Sequence, residues 1–312
     1  MTDRSFIEMK KGSRTIHLSE RAWGYLFASP AFILVGLVAL APITAALWLS
    51  LRRQLPIFGV DEFVGFRNYL QLLGDDRFWA ACWTTLYFTV LSVSAELLLG
   101  FGFALLLNRL SNGAGWGLRW AHVMIILPWA IPTVVSAQIW AWLYQPDYGL
   151  LNYLLHAAGI TGGRIDWLAD PDWSIHAAVV MDVWKTTPFA ALLLLAGLKT
   201  VPQELYAAAR VDGAGPWQQF RRITLPLLMP VVVIVLIFRT MDAVRVFDAV
   251  FVLTGGGPGN STETLSIYAY KTLFQTLQFG YGSALATAMF VLAAMLSLLY
   301  LVLLRRHVQE SA

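Results

Sequence analysis

The segment ELYAAARVDGAGPWQQFRRITLPLLMP, residues 204–230, places two short polar helical stretches between two long apolar runs. The first stretch is predicted to be a helix that Asp212-Gly213 ends, because glycine is the usual residue after a helix C-terminus. A second short helix is predicted over Trp217 to Ile223 and leads into the next apolar run. Such a helical elbow at a membrane surface can insert into a groove of a soluble partner, although an ordinary helical loop has the same pattern.

The composition indicates a membrane protein. Of the 312 residues, 58% are hydrophobic and only 13% are charged, which is about half the charged share of an average soluble domain. The single cysteine, Cys82, excludes an intrachain disulfide. The net charge of +3 is small and scattered, so a nucleic-acid partner is not expected.

Six segments are long enough to cross a bilayer. They cover residues 23–51, 80–107, 122–144, 177–198, 226–253 and 281–304. The first run continues for a full membrane thickness without a small-residue cleavage site, so we expect a retained span rather than a signal peptide. Pro128 and Pro132 in the third segment and Pro188 in the fourth are predicted to kink their helices. The sequence therefore predicts an all-α membrane protein with six transmembrane helices.

The distribution of basic residues predicts the orientation. One side carries thirteen lysines and arginines, in the tails at 1–22 and 305–312 and in the loops at 108–121 and 199–225. The other side carries six, namely Arg52, Arg53, Arg67, Arg77, Arg164 and Lys271. The positive-inside rule then places both termini in the cytoplasm. The predicted organisation is a cytoplasmic N-tail at 1–22, a transmembrane domain at 23–304 with a cytoplasmic loop at 199–225, and a cytoplasmic C-tail at 305–312. Arg52-Arg53 is a local exception on the outer side.

No nucleotide site or catalytic centre is recognisable in the sequence. Nothing matches G-x-x-x-x-G-K-[ST], and the glycine run at 255–259 continues as Asn260-Ser261 without a lysine. The five histidines are scattered, and no Ser/His/Asp arrangement stands out. We therefore expect a transport subunit rather than an enzyme, with no metal or cofactor in this chain. The energy for uphill transport would come from a partner or an ion gradient.

Charged residues inside the predicted spans are the next signal, because each costs roughly several kcal/mol unless it is paired or solvated. The seven are Glu96, Asp182, Lys185, Arg239, Asp242, Arg245 and Asp248. Helical spacing places one set of four residues on a single face of span four, and a second set on a single face of span five. The first set is Asp182, Lys185, Thr186 and Phe189, and the second is Arg239, Asp242, Ala243 and Val246.

Two interpretations of these charges remain open. Two polar faces at one depth can line a pathway for substrate. Alternatively, Asp182–Lys185 and Arg239–Asp242 pair locally at i, i+3 and hold the helices together. Arg245 and Asp248 are expected to be turned away from the site, with a structural role. For Glu96 we expect a hydrogen bond to a neighbouring span.

Several motifs resemble those of ABC importer permeases. The run Ala208-Ala209-x-x-Asp212-Gly213-Ala214, followed by Ile223-x-Leu225-Pro226, resembles the EAA loop of that family. The phrases GFRNYLQLL (65–73) and LTGGGP (253–258) are similar to the periplasmic landmarks of maltose-type, MalF/MalG-like sugar permeases. VWKTTPF (183–189) and FRTMDAVRVFD (238–248) look most like SugA-type permeases for trehalose and related disaccharides. The resemblance covers nearly the whole chain, and its specific motifs lie after residue 180.

The resemblance implies a type I ABC importer permease fold whose EAA-like loop docks an ATPase. The implied coupling residues are Glu204, Ala207, Ala208, Ala209, Asp212, Gly213, Ala214 and Pro226. The acidic residue of the family motif aligns with Ala207, and Glu204 lies one turn earlier, so this chain has no side chain for the family's salt bridge at that position. The eight positions on the two polar faces match the family's sugar contacts. Because this chain has Asp, Lys, Arg and Asp where the family's example is uncharged, the substrate stays open.

The resemblance also implies the partners. They are a second permease subunit in a heterodimer, two ATPase subunits that hold ATP and Mg, an extracytoplasmic sugar-binding protein, and the lipid of the cell (inner) membrane. The alternative is an ion-coupled secondary transporter with Asp182, Asp242 or Glu96 as proton sites. The EAA-like loop favours the importer, because an ion-driven carrier needs no docking element. In addition, no internal sequence repeat relates spans one to three to spans four to six, whereas many secondary transporters have such a repeat.

The predicted orientation can be tested with introduced cysteines in a variant that lacks Cys82. A membrane-impermeant thiol reagent applied to intact cells should label cysteines at positions 62 and 260 and leave those at 112 and 215 unlabelled. After the cells are permeabilised, all four positions should react. Labelling of position 215 in intact cells would overturn the orientation.

Overall fold

The computed structural model describes residues 20–110 and 116–310. The predicted N-tail at 1–22 therefore lies almost wholly outside the described residues, as do positions 111–115 of the predicted loop at 108–121. Of the basic residues that predict the orientation, four lie outside as well: Arg4, Lys10, Lys11 and Arg14. The chain divides into two units, one up to Ala46 and one from Leu47 onward. The described part of the first unit belongs to the helix α1, Glu20–Ser50, which contains Pro30 and Pro42.

A short hairpin follows α1. Strands β1, Arg52–Leu55, and β2, Val60–Phe63, pair antiparallel around a 3-10 turn. The helix α2 covers Arg67–Leu73, and α3 begins at Asp76. Gly65 lies between β2 and α2 and adopts the left-handed conformation, with φ of 57°, which glycine tolerates best.

The second span is a single long helix, and the third is broken. The helix α3, Asp76–Leu110, contains the predicted span at 80–107. The predicted span at 122–144 is instead two helices, α4, Trp116–Ala130, and α5, Thr133–Leu143, bent by 101° at the break. Pro132 stands in the break, because its nitrogen cannot donate to a helical ladder. The described chain thus has five helices long and apolar enough to cross a membrane, or six if this bent pair forms one span.

The fourth span is continuous. After the outer helix α6, Leu150–Ala157, the helix α7 runs from Pro171 to Thr200 and includes the predicted span at 177–198. Asp170 caps its N-terminus, where the carboxylate accepts the backbone N–H of Asp172 at 2.8 Å. Pro188 lies inside α7 without ending the helix.

The elbow predicted from residues 204–230 is present and continues directly into the fifth span. It consists of α8, Gln203–Val211, and α9, Pro216–Gln219. A π-helical turn then joins α9 to α10, Leu225–Val244. The prediction of a fifth span over 226–253 is wrong at its end, because α10 stops at Val244 and a separate helix, α11, covers Asp248–Leu253.

The C-terminal part completes the bundle. The helix α12 covers Leu265–Tyr270, and a π-helical turn follows it. The helix α13, Phe279–Glu310, contains the predicted span at 281–304. Near the start of α3, Glu263 accepts from Arg77 at 2.6 Å and from Lys271 at 2.8 Å. Burial opposes ionisation of Glu263, but these two hydrogen bonds lower its pKa below the ordinary value.

The core that positions the site lies among α3, α7 and α10. Small residues allow these helices to approach closely. A Cβ on Gly100 of α3 would lie 3.0 Å from the Cβ of Ala190 on α7, and one on Gly197 of α7 would lie 2.7 Å from the side chain of Leu228 on α10. Any charged group between these helices is therefore removed from solvent.

Candidate functional site

A polar cavity of about 330 Å³ lies beside α7, α10 and α11. Its lining residues are Trp129, Thr133, Asp182, Lys185, Thr186, Arg239, Asp242, Ala243, Arg245, Val246, Phe247, Asp248 and Ala249. Seven of the eight residues that the sequence predicts as substrate contacts belong to this lining. The eighth, Phe189, is not part of the lining, but its ring stacks on that of the lining residue Trp129 with ring centroids 6.2 Å apart. Their role as substrate contacts stays a prediction.

Arg239 is the centre of the charged cluster beside this cavity. Its guanidinium binds Glu96 with two hydrogen bonds, from Nε to Oε2 at 2.5 Å and from Nη2 to Oε1 at 2.9 Å. Arg239 is 4% exposed and Glu96 is 1% exposed, so the pair is shielded from water. Charge-assisted, two-point contacts of this type are the strong and directional ones.

Two further carboxylates reach the same guanidinium. Asp242 on the same helix accepts from Nη1 at 2.6 Å, and Asp182 of α7 lies 3.4 Å from Nη2. The Asp242 side chain is 64% exposed, whereas that of Asp182 is 11% exposed. One guanidinium therefore connects α3, α7 and α10, with its open side at Asp242.

Thr186 and Lys185 make the remaining contacts. The Thr186 hydroxyl lies 2.7 Å from Oε1 of Glu96 and 2.6 Å from the backbone carbonyl of Asp182, so it can donate to either. Lys185 Nζ donates at 2.8 Å to the carbonyl of Ile131, which stands at the break between α4 and α5. Among the described residues, no carboxylate oxygen lies within 4.0 Å of Nζ.

These contacts test the pairings that the sequence predicts for the charged residues. The expected hydrogen bond from Glu96 to a neighbouring span is confirmed, since Thr186 belongs to α7. The local pair Arg239–Asp242 is present, whereas Asp182 pairs with Arg239 and not with Lys185. The pairing of Glu96 with Arg239 was missed, because the two residues are 143 positions apart. Its only signal in the sequence is that Glu96 is the single charge in its span.

The expectation that Arg245 and Asp248 turn away from the site is wrong. It assumed an uninterrupted helix over the fifth span, but α10 ends at Val244 and the chain changes direction. Both side chains line the cavity. With them the cluster has four carboxylates and three cations, a formal charge of −1. Because Arg239 already donates from all three nitrogens to carboxylates, the site is better suited to a neutral polar ligand than to an anion.

The elbow forms a second distinctive surface. Its first helix ends in a Schellman motif, in which Ala214 N–H donates to the Ala209 carbonyl at 2.8 Å and Gly213 N–H to the Arg210 carbonyl at 3.1 Å. Gly213 has φ of 79°, a conformation that side chains disfavour. Of the eight predicted coupling residues, six are exposed and two are half-buried. The exposed ones are Glu204, Ala207, Ala208, Asp212, Gly213 and Pro226, and the half-buried ones are Ala209 and Ala214.

Apolar residues at the tip of the elbow are also exposed. Val211 is 88% exposed and Trp217 is 69% exposed. Behind them, the Tyr206 and Thr224 hydroxyls lie 2.9 Å apart, and the ring of Phe220 packs edge-on against Phe101 of α3 with centroids 6.0 Å apart. The elbow is thus attached to α3 and continuous with α10, the two helices that carry Glu96 and Arg239.

Comparisons with known proteins agree with this architecture. A family model described as "binding-protein-dependent transport system inner membrane component" matches residues 96–309. The trehalose/maltose transport system permease protein MalF of Thermococcus litoralis is 42% identical, over 90% of this chain and 93% of the relative. The sulfoquinovosyl glycerol transport system permease protein SmoG of Agrobacterium fabrum is 39% identical, over 96% of this chain and 95% of the relative. The trehalose transport system permease protein SugA of Mycobacterium tuberculosis is 37% identical, over 94% of this chain and 91% of the relative.

A solved structure has the same fold. It is the crystal structure of a bacterial ABC transporter involved in the import of the acidic polysaccharide alginate, with a TM-score of 0.76. The match covers 92% of this chain and 96% of that chain, at 24% sequence identity. The likeness confirms the predicted type I ABC importer permease fold and, at this identity, carries no information on substrate.

The buried ion pair predicts a double-mutant cycle. Arg239→Gln leaves Glu96 as an unpaired buried anion and should destabilise the protein by about 3–5 kcal/mol. Adding Glu96→Gln removes that anion and should recover part of the loss. The thermal unfolding midpoint of the purified protein in detergent measures both effects. Arg164→Gln serves as a control, since its partner Asp147 is exposed and surface pairs contribute only about 0–1 kcal/mol. Strictly additive effects of the two substitutions would contradict the pairing.

Proposed function

The chain belongs to the family of binding-protein-dependent transport system inner membrane components, which are transport components rather than enzymes. From that premise we propose that it is the permease subunit of an ATP-driven importer of a neutral disaccharide such as trehalose. The observation that carries the proposal is the cavity between α7, α10 and α11, which seven of the eight predicted contact residues line. The names of the trehalose/maltose and trehalose permeases among the relatives support the substrate class.

The chemistry of the cavity is suited to a hydroxylated ligand. Asp242 presents a largely exposed carboxylate that can accept from sugar hydroxyls, and the Lys185 ammonium can donate to them. The ring of Trp129 belongs to the same lining and offers an apolar face for a sugar ring. The volume of about 330 Å³ lies at the lower end of the roughly 300–1,000 Å³ typical of small-molecule sites. The formal charge of −1 favours a neutral sugar over an acidic one.

The elbow supplies the proposed connection to an ATPase. Its exposed helix α8, with Val211 and Trp217 at the tip, would insert into a groove on the ATPase surface. Ala207 is exposed at the position where the family has an acid, so this docking would depend on helix shape and apolar contact more than on a salt bridge there. Glu204, one turn earlier, is exposed as well and remains available to a basic partner.

Motion of the elbow would reach the cavity along one helix. From Pro216 to Val244 the chain is helical without interruption, and Arg239 lies in its last part. When the ATPases close, a push on residues 204–224 would shift α10 and the groups that line the cavity. This would convert the permease between inward-facing and outward-facing states by alternating access.

The remaining parts of the assembly follow from this proposal. A second permease subunit would form the other half of the pathway, and two ATPase subunits would hold ATP and Mg, so that this chain needs no cofactor. An extracytoplasmic binding protein would deliver the sugar. The elbow would lie in the cytoplasm together with the tails at 1–22 and 305–312, and the chain would cross the inner membrane several times.

An ion-coupled carrier is the weaker alternative. The family match argues against it, because the members are components of binding-protein-dependent systems. Glu96 is one of the candidate proton sites of such a carrier. Its carboxylate is not free to face a pathway, because both of its oxygens accept hydrogen bonds from Arg239. An uptake assay with and without an ion gradient distinguishes the two.

Gly213 provides a test of coupling with a matched control. Gly213→Val forces a β-branched side chain into a left-handed conformation, which costs about 1–3 kcal/mol and should lower association with the ATPase about tenfold or more. Gly215→Val is the control, because Gly215 has φ of −69° and open space around its Cβ position. Binding of the co-expressed ATPase and stimulated ATP hydrolysis measure the effect. Equal loss in both variants, or in neither, would argue against docking through the elbow.

The substrate site is tested by a charge-neutral pair of substitutions that spares the buried ion pair. Lys185→Gln with Asp242→Asn removes two of the charged groups that line the cavity, and uptake of a neutral disaccharide at limiting concentration should fall at least about tenfold. Protein level and basal ATP hydrolysis should persist. Arg164→Gln with Asp147→Asn makes the same charge change in an exposed outer pair and should leave uptake unchanged. Wild-type uptake by the first pair would assign these charges to helix packing.

A further inference from the structure

A second pocket, of about 410 Å³, lies near the N-terminal ends of α3 and α13. This is the side of the protein opposite to the elbow. It is formed between the β1–β2 hairpin, α2 and the start of α13. The residues that matter for its chemistry are Arg53, Arg67, Gln54, Gln71 and Gln278. None of them belongs to the cavity beside α10 or to the elbow.

The walls of this pocket are held firmly in place. Asn68 is 6% exposed, and its Nδ2 donates to the carbonyls of Ser50 at 2.7 Å and Arg52 at 2.9 Å. The first bond attaches α2 to the end of α1, and the second attaches α2 to the hairpin. On the other side, a Cβ on Gly280 would lie 1.8 Å from the carbonyl oxygen of Arg52, so the start of α13 presses directly against β1. The backbone segments that form the walls of the pocket are therefore held in contact with one another.

The charge of the pocket is positive and not neutralised. Among the described residues, neither Arg53 nor Arg67 has a carboxylate within 4.0 Å. The neighbouring arginines differ, since Arg52 pairs with Asp61 at 2.7 Å and Arg77 with Glu263 at 2.6 Å. Glu62 stands opposite Arg53 across the hairpin but forms no ion pair with it and does not line the pocket. Two guanidinium groups beside three glutamine amides are donors suited to a phosphate group.

The flanks of the pocket are apolar and exposed. Phe58 is 76% exposed, Phe66 is 73% exposed and Leu70 is 68% exposed. They lie in the segment between α1 and α3. In the proposed membrane orientation, on which this inference rests, that segment is at the outer level where aromatic side chains meet the lipid headgroups. A ligand that satisfies both parts of this surface has a phosphate group and hydrocarbon chains.

We propose that this pocket binds the headgroup phosphate of an anionic phospholipid in the outer leaflet of the membrane. The phosphate lies between Arg53 and Arg67, and the acyl chains follow the exposed side chains of Phe58, Phe66 and Leu70. The proposal also explains why Arg53 and Arg67 are kept on the side of the membrane where basic residues are few. An acidic lipid bound there compensates their charge.

The test uses the full-length chain in bilayers of phosphatidylcholine, titrated with phosphatidylglycerol. Phosphatidylglycerol should raise the thermal unfolding midpoint of the wild type. In the double variant Arg53→Gln with Arg67→Gln, the phosphatidylglycerol concentration that gives the same rise in midpoint should be at least tenfold higher. Arg164→Gln, on the same side of the membrane, should respond as the wild type does. The paired change to lysine keeps both charges and should retain part of the response, which guards against loss of binding through misfolding.

Two results would overturn the proposal. In the first, phosphatidylglycerol protects the Gln pair as well as it protects the wild type. In the second, inorganic phosphate without anionic lipid gives the same protection as phosphatidylglycerol, which would make the pocket a site for a soluble anion. Equal midpoints of wild type and Gln pair in pure phosphatidylcholine show that the fold is intact.

Discussion

The guanidinium of Arg239 is the group on which the membrane-embedded part of this structure depends. A cation between closely packed apolar helices is costly unless its partners and hydrogen bonds are complete. Arg239 obtains them from Glu96 of α3, Asp182 of α7 and Asp242 of its own helix, with the shortest contact at 2.5 Å. The cluster therefore holds three helices at one distance and one register. Removal of Arg239 leaves the carboxylates of Glu96 and Asp182 buried without their cation, so the packing of the three helices depends on this one guanidinium.

The same cluster is buried on one side and borders a polar cavity on the other. Glu96 and Arg239 are almost fully buried, whereas Asp242 opens toward the cavity. Lys185 adds a donor there, and its contact with the carbonyl of Ile131 satisfies a backbone acceptor that the break between α4 and α5 leaves without a helical partner. Buried positions and cavity-lining positions thus belong to different members of one network. In consequence, the helix-packing interpretation and the substrate interpretation of the charges are compatible.

The position of the elbow links this network to the opposite surface of the protein. Phe220 rests on α3, and the helix that begins at Pro216 continues to Val244. A continuous helical segment thus connects the exposed elbow to the ion cluster around Arg239. A displacement of this helix would disturb the contact between Arg239 and Glu96, where no solvent can replace a lost hydrogen bond.

What the sequence by itself determined is whatever depends on near neighbours in the chain. Apolar length predicts the spans, and Asp212-Gly213 predicts the end of α8, since a Schellman motif involves only adjacent residues. Helical spacing placed Asp182 and Arg239 on polar faces for the same reason. The sequence predicts a kink at Pro132, but the tertiary structure alone decided that the kink measures 101°, that Glu96 binds Arg239, and that α10 ends at Val244. These outcomes depend on which helices meet and on what each buried charge finds there, and separation along the chain carries no information about either.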